Sequence, residues 1–406
     1  VVGIPSLQVN PSSLVNILTL RYDPTQKSSL PKYTPKNFVP SQEIPSLEKI
    51  EKLIIKNITS KIPKDTDSIS IALSGGVDST LVLAFMRKIF PKMAINAISV
   101  KFANSIDETI PAAKIAEKFE AKQIIINIEN YLEELPRAIS IIKQPFWDTH
   151  WYYVSKRAQS LSKFLASGDG GDEIFGGYTF RYKKFLETTT NTTTSLEKIK
   201  AYLSCHERDR VPDQDKLFHK DVNFNWHSIY NVLSPFFKNN LDRLDQVLLA
   251  DYNGKLLYNF SPVNNSLQEH FGLTSVSPFV SEDIISYFLP IQNKFKYNKN
   301  ENIGKLLLRK LLVKYDADML VTNEKLGFNV NTQNLWKKYG QKLCEKYLVG
   351  GYIVENNIIN SNWIECYISQ DDLEIKYVNK FLGLLAVEIW YRLFITKDLD
   401  SNTTLG

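Results

Sequence analysis

The stretch that constrains this chain most is Ser68-Ile69-Ser70-Ile71-Ala72-Leu73 running into Ser74-Gly75-Gly76-Val77-Asp78-Ser79. The first six residues alternate as in a strand. The apolar, helix-periodic run from Asp78 to Phe90 predicts a helix entered through a tight glycine turn. Two successive glycines let the backbone approach an anion closely, with N–H groups converging on it and the positive end of the next helix behind them. Ser74 and Ser79 add hydroxyls at the two edges. The stretch reads as a phosphate cradle; the plainer alternative is a strand-to-helix turn capped by Ser74 and Asp78.

Asp78 narrows the chemistry. A carboxylate beside a phosphate repels it unless a divalent cation stands between them, so the loop implies Mg²⁺ as well as phosphate. The Lys of a G-x-x-x-x-G-K-[ST] loop is missing, which argues against ordinary γ-phosphoryl transfer. These residues resemble the S-G-G-x-D-S pyrophosphate loop of the ATP pyrophosphatase superfamily. The resemblance implies ATP, cleaved between its α and β phosphates to leave an adenylated substrate.

The flanking pattern supplies a sheet for this loop. Leu47, Ile50, Leu53, Ile54 and Ile58 recur at helical spacing between Pro45 and Ile62. Ala94 to Phe102 and Lys122 to Ile128 read as strands, Ile110 to Phe119 as the helix between them, and Tyr131 to Ile142 and Trp151 to Ser162 as further helices. Such alternation predicts an α/β fold, a parallel sheet with helices on both faces, whose ligands lie beyond the carboxyl ends of the strands. A short strand at Lys163 to Ala166 then enters Ser167-Gly168-Asp169-Gly170-Gly171-Asp172-Glu173-Ile174-Phe175-Gly176-Gly177-Tyr178. As an isolated piece this acidic turn is as well explained by a helix cap or surface loop. Paired with the first motif, it places Asp169, Asp172 and Glu173 at the edge where Asp78 lies. Carboxylates from two strand ends are a natural Mg²⁺ clamp, because the metal takes one or two carboxylates with phosphate oxygens and waters.

The rest of the chain excludes several functions. With 43% hydrophobic and 23% charged residues among 406, and a net charge of +5, it has an ordinary globular composition and no dense basic track for nucleic acid. Cys205, Cys344 and Cys366 are far apart and form no C-x-x-C pair, which argues against a zinc site or a disulfide frame. No secretory leader or membrane-length apolar run is evident, so a cytoplasmic protein is expected. Residues 1–46 read as an extended, proline-dotted arm with a strand-like run at Leu14 to Tyr22. Residues 47–187 read as the α/β domain, and 188–406 as a mostly helical region opening on the polar link Thr188 to Ser195.

Taken together, Ser74 to Ser79 and Ser167 to Tyr178 resemble the synthetase domain of the asparagine synthetase family. Ser277-Pro278-Phe279, Gly304-Lys305-Leu306-Leu307-Leu308-Arg309, Glu324-Lys325-Leu326-Gly327-Phe328 and Leu384 to Phe394 resemble its later motifs. The resemblance implies an adenine nucleotide alpha hydrolase-like fold and an ATP-dependent carboxylate ligase forming an amide with an amine or ammonia. It implies adenosine contacts at the backbone of Leu73 and Val100, and phosphate contacts at Ser74, Gly75, Gly76 and Ser79. Ser167 and Gly168 would lie near the ribose and α-phosphate, with Mg²⁺ on Asp78 and Asp172. Asp169 and Lys325 take catalytic roles, the acid favouring amide formation with ammonia over cyclisation and the lysine stabilising developing charge.

Two departures from the family pattern bear on partners and substrate. Residue 1 is Val and only about 45 residues precede the ligase-like part, so a glutaminase domain beginning with its nucleophilic Cys is not expected. Free ammonia, another amine, or a separate ammonia-donating subunit would then serve. Asn265-Ser266, Thr274 and Val276 stand where the family carries charged residues, which weakens aspartate as the acid, since buried charges need partners. Phe146, Trp147, Trp151 and Tyr152 suggest a more aromatic wall. Amide or lactam formation on a peptide or biosynthetic intermediate, a base-activating tRNA-modifying enzyme, and a non-catalytic subunit partnering a glutaminase remain the alternatives.

Overall fold

The computed structural model describes residues 10–321, 330–370 and 372–406. Its centre is a five-stranded parallel sheet of β1 (Ser68–Ala72), β2 (Ala94–Phe102), β3 (Lys122–Ile128), β4 (Phe164–Ala166) and β5 (Thr274–Val276), in the order β3-β2-β1-β4-β5. The connecting helices are α3 (Val77–Ile89), α4 (Thr109–Lys118), α5 (Leu135–Ile142) and α6 (His150–Ala158), preceded by α1 (Pro11–Leu20) and α2 (Leu47–Lys61). From β1 the chain steps outward through β2 to β3, then returns across the sheet to β4 on the other side of β1. Right-handed crossovers therefore put α3 and α4 on one face and the return connection, in which α6 packs on β2, β3 and β4, on the other. The reversal falls between β1 and β4, the position where open α/β sheets bind ligands.

The strands are short and the inner ones are apolar on both sides: Ile69, Ile71, Ala97, Ile98, Leu165 and Ala166 are all fully buried. A strand covered on both faces shows no clean alternation, and its Val, Ile and Ala content follows from that double burial. Ser70 is buried in the same strand, with its hydroxyl bonded to that of Ser162 at 2.9 Å. The predicted elements from 47 to 166 are present with ends shifted by a few residues.

The arm differs from the expectation. The run Leu14 to Tyr22 lies not in a strand but largely in helix α1, with Leu14, Val15, Ile17, Leu18 and Leu20 buried. Asn10 caps the helix, its side chain accepting from the Ser12 N–H at 3.0 Å, and Pro11 sits in the first turn, where its missing N–H costs nothing. Because α1 is covered nearly all round, packing against the helix Ile375–Tyr391 among others, its apolar residues show no stripe to reveal the helical period. Arg21 ends α1 in a left-handed conformation, φ 67°. The remainder, 22–46, crosses the surface with one short turn of helix at Pro35–Phe38.

Residues 188–406 are mostly helical, but they also contribute β5, which pairs with β4 through Ala166↔Val276. One sheet thus draws strands from both halves of the chain.

Candidate active site

β1 and β4 are direct neighbours, with Ile71 opposite Ala166, so the turns that leave their carboxyl ends must meet. The first turn runs through Gly75, whose φ of +76° favours glycine, to the start of α3, where Gly76 is the cap and no side chain satisfies the first N–H groups. The second turn contains the short helix α7 (Gly171–Phe175). They touch so closely that a Cβ on Gly171 would lie 2.3 Å from Asp78 Cγ. A glycine there is thus a packing requirement rather than a flexible joint. The hydroxyls of Ser74 and Ser79 lie 3.4 Å apart at the rim of the cradle.

Asp78 and Asp172 converge on one cation. Lys305 Nζ makes ion pairs with Asp78 Oδ2 and, at 2.8 Å, with Asp172 Oδ1. Burial pulls the Lys305 ammonium down, but Asp172 and Asp78 outweigh it and hold it above the usual lysine range. Lys305 reaches this place because it too has left-handed backbone, φ 56°, at the start of the helix Leu306–Val313. Among the described residues no group of three or more His, Cys, Asp or Glu gathers as a metal cage. Two hard carboxylates that already hold a positive charge between them nevertheless fit Mg²⁺, which takes few protein ligands when phosphate supplies the others.

Asp169 is the third carboxylate of the acidic turn. Burial pushes its pKa up to about 6, against hydrogen bonds from Ser167 and Asn264 that lower it, while Asp78 and Asp172 add repulsion. Ser167 Oγ donates to Asp169 Oδ2 at 2.9 Å and Asn264 Nδ2 to the same oxygen at 2.7 Å. Ser277 at the end of β5 bonds Ser167 Oγ at 2.8 Å, so the Ser-Pro-Phe turn steadies the group that positions Asp169. A carboxylate tuned toward neutrality can take or give a proton near physiological pH.

These residues line a cleft of about 450 Å³. One end is the cradle with Ser74, Gly76, Asp78, Ser79 and Lys305. The other is walled by Trp147, Asp148, Trp151, Asp209 and Arg21 of the arm.

The sequence of residues 53–392 matches the Asparagine synthase family model, most of the chain. The chain belongs to that family. It is 24% identical over 371 residues to asparagine synthetase (glutamine-hydrolyzing) 1 of Bacillus subtilis, covering 80% of this chain and 56% of that protein. It is 25% identical over 229 residues to asparagine synthetase (glutamine-hydrolyzing) of Zea mays, covering 47% of this chain and 37% of that protein. An NH(3)-dependent NAD(+) synthetase of Carboxydothermus hydrogenoformans is 32% identical over 88 residues, 22% of this chain and 36% of that protein. The chain thus spans little more than half the length of the Bacillus relative.

As a member of the asparagine synthase family, the chain can be compared with the positions expected from sequence. Ser74, Gly76, Asp78, Ser79, Ser167, Gly168, Asp169 and Asp172 all line the cleft. Leu73 and Val100 are buried at the strand ends behind it; the Leu73 N–H donates to Ile98 O at 2.8 Å and its carbonyl accepts from Ser99 Oγ at 2.9 Å. Lys325, with its loop, lies outside the described residues. Of the aromatic group, Trp147 and Trp151 line the cleft, while Tyr152 turns its hydroxyl to Glu134. Asn265, Ser266, Thr274 and Val276 are not among the lining residues; on that helix the cleft meets Phe260 and Asn264 instead. Glu388 and Arg392 of the closing helix have a structural task, Glu388 accepting the backbone N–H groups of Tyr352 and Ile353 at 3.1 and 3.0 Å. Sequence reasoning assigned no role to Lys305, Asn264 or Arg21. Lys305 stood inside a recognised motif, but nothing in the sequence placed Arg21 at the cleft.

Proposed function

We propose that this protein is an ATP-dependent ligase that adenylates a carboxylic acid and transfers the acyl group to ammonia or another amine, releasing AMP and pyrophosphate. The observation that carries this reading is the convergence of Asp78 and Asp172 on one cation beside the Ser74–Ser79 cradle. The N–H groups at the start of α3 and the Ser74 and Ser79 hydroxyls would grip the departing diphosphate. Asp78 and Asp172 would hold Mg²⁺, which screens phosphate oxygens from the carboxylates and stabilises charge on the leaving group. Lys305, released from the aspartates, would then pair with the phosphates, and Lys325 would serve as a further cation.

In the first step a carboxylate oxygen of the acid attacks the α-phosphorus and the bond to the β-phosphate oxygen breaks. In the second, the amine nitrogen attacks the acyl carbon, the bond to AMP breaks and the nitrogen loses a proton. Asp169, largely ionised at neutral pH given its pKa of about 6, is suited to accept it. Holding the partners in line and stabilising the leaving charge would supply most of the rate. The Trp147 and Trp151 wall favours, as a second reading, an acid larger than aspartate.

A pyrophosphate-release assay over a panel of acids and amines, with Mg²⁺ and with EDTA, tests the proposal. Metal-dependent conversion of ATP to AMP that requires an acid is the expected result. Its absence with every acid, or full turnover in Asp78→Asn, would sink the ligase reading.

A further inference from the structure

At the end of the cleft away from the cradle, four charged side chains from sequence-distant segments form one buried cluster. Arg21 pairs through one guanidinium nitrogen with Asp148 Oδ2 at 2.5 Å and through another with Asp209 Oδ1 at 2.7 Å. Lys255 lies 3.5 Å from Asp209 Oδ2. The four formal charges balance, and two cations hold Asp209 far below the usual carboxylate range, against its burial.

Arg21 is held in place by more than these ion pairs. Its left-handed backbone ends α1, and its carbonyl accepts from Asn259 Nδ2 at 2.7 Å. One turn earlier, Leu18 O accepts from the buried Lys380 ammonium. The guanidinium also lies 5.5 Å from the centre of the Trp147 ring. Such multiple anchoring is how a protein fixes a recognition group rather than a solvated surface arginine.

The cluster is not saturated. Asp148 Oδ1 and the Trp147 indole N–H are buried without a hydrogen-bond partner, and Asn379 Oδ1 is in the same condition. All three residues line the cleft. Two acceptors and one donor left open beside aromatic rings match an ammonium group with a neighbouring carbonyl, as in an amino acid or the amino end of a peptide.

We propose that Arg21 of the N-terminal arm is a positioning residue for substrate selection, holding Asp148 and Trp147 so that they receive the ammonium and carbonyl of an aminoacyl or peptide substrate. The arm thereby completes the acid-binding end of the cleft. This rests on the ligase reading for the fate of the substrate, but not for its capture.

Capture can be measured without turnover, by calorimetric titration of the full chain with amino acids and dipeptides, each in its free-amine and N-acetylated form. The wild-type protein should bind at least one free-amine member about tenfold or more tightly than its acetylated counterpart. Asp148→Asn, close to isosteric, and Arg21→Gln should bring that ratio to within about twofold while ATP binding is retained. Absence of binding by every panel member, equal binding of the two forms, or a preference that survives both substitutions would overturn the proposal. A protein that shows the preference but releases no pyrophosphate would leave this inference standing and defeat the ligase reading instead.

Discussion

The two ends of the cleft are built by opposite means. The phosphate end is made of two unbroken turns, Ser74–Ser79 and Ser167–Tyr178, brought together because β1 and β4 are neighbours in a parallel sheet. The arm end is made of single side chains, with Arg21 after α1, Asp148 before α6, Asp209 in a loop and Asn379 in the last long helix. Backbone geometry makes the first; side-chain packing across the molecule makes the second. A fold can therefore retain its phosphate chemistry while the other end is rebuilt for another substrate.

If that division holds, damage at one end should leave the other intact. Asp172→Asn should give the largest effect, lowering pyrophosphate release by ~10²–10³-fold, as when one group stabilising the transition state is removed, while any amine preference at the arm end survives in binding titrations. Gly171→Ala comes next. Its Cβ would stand 2.3 Å from Asp78 Cγ, so the two turns must part, and a melting experiment should show a loss of ~1–3 kcal/mol, typical of overpacking, together with weakened ATP binding.

Leu18→Ala works from the other side. Leu18 is 4% exposed in α1, and a buried leucine truncated to alanine costs ~2–5 kcal/mol. Selectivity among acids should fall in steady-state assays more than the KM for ATP rises.

Asp169 sits where the two ends meet, and pH should reveal it. Its pKa is raised from 3.8 to about 6, burial being the largest cause. As pH falls through about 6 the carboxylate is protonated, so kcat/KM should fall on the acid side in wild type, and Asp169→Asn should lower the rate and remove that limb. Stability follows the opposite course. A raised carboxyl favours the native state in its protonated form, and that contribution is lost as pH rises through about 6. Asp169→Asn should therefore raise the melting temperature relative to wild type above pH 6, and much less near pH 4. The smallest effect is expected at Asn265, which is exposed, bonds Ser29 Oγ at 3.2 Å and does not line the cleft. Asn265→Ala should change turnover by less than about twofold, as at an ordinary surface position.

Much of the phosphate end was legible in advance because strand, glycine turn and helix follow one another along the chain, and parallel neighbours put their turns on one edge. The arm helix was not, because α1 is buried on nearly every side and its apolar residues carry no helical stripe. The departures at Asn265, Ser266, Thr274 and Val276 looked relevant to substrate in the sequence, but the helix turn that meets the cleft presents Phe260 and Asn264 instead.

By itself, then, the sequence determined the cradle, the acidic turn and the parallel sheet that joins them, since these depend on local backbone preferences and a two-residue or 3.6-residue period. Only the tertiary structure decided that Lys305 stands between Asp78 and Asp172 and that Arg21 closes the far end. Those choices join side chains more than a hundred residues apart, and which side chain fills such a space is settled by the packing of elements that carry no mark of it in their own order of residues.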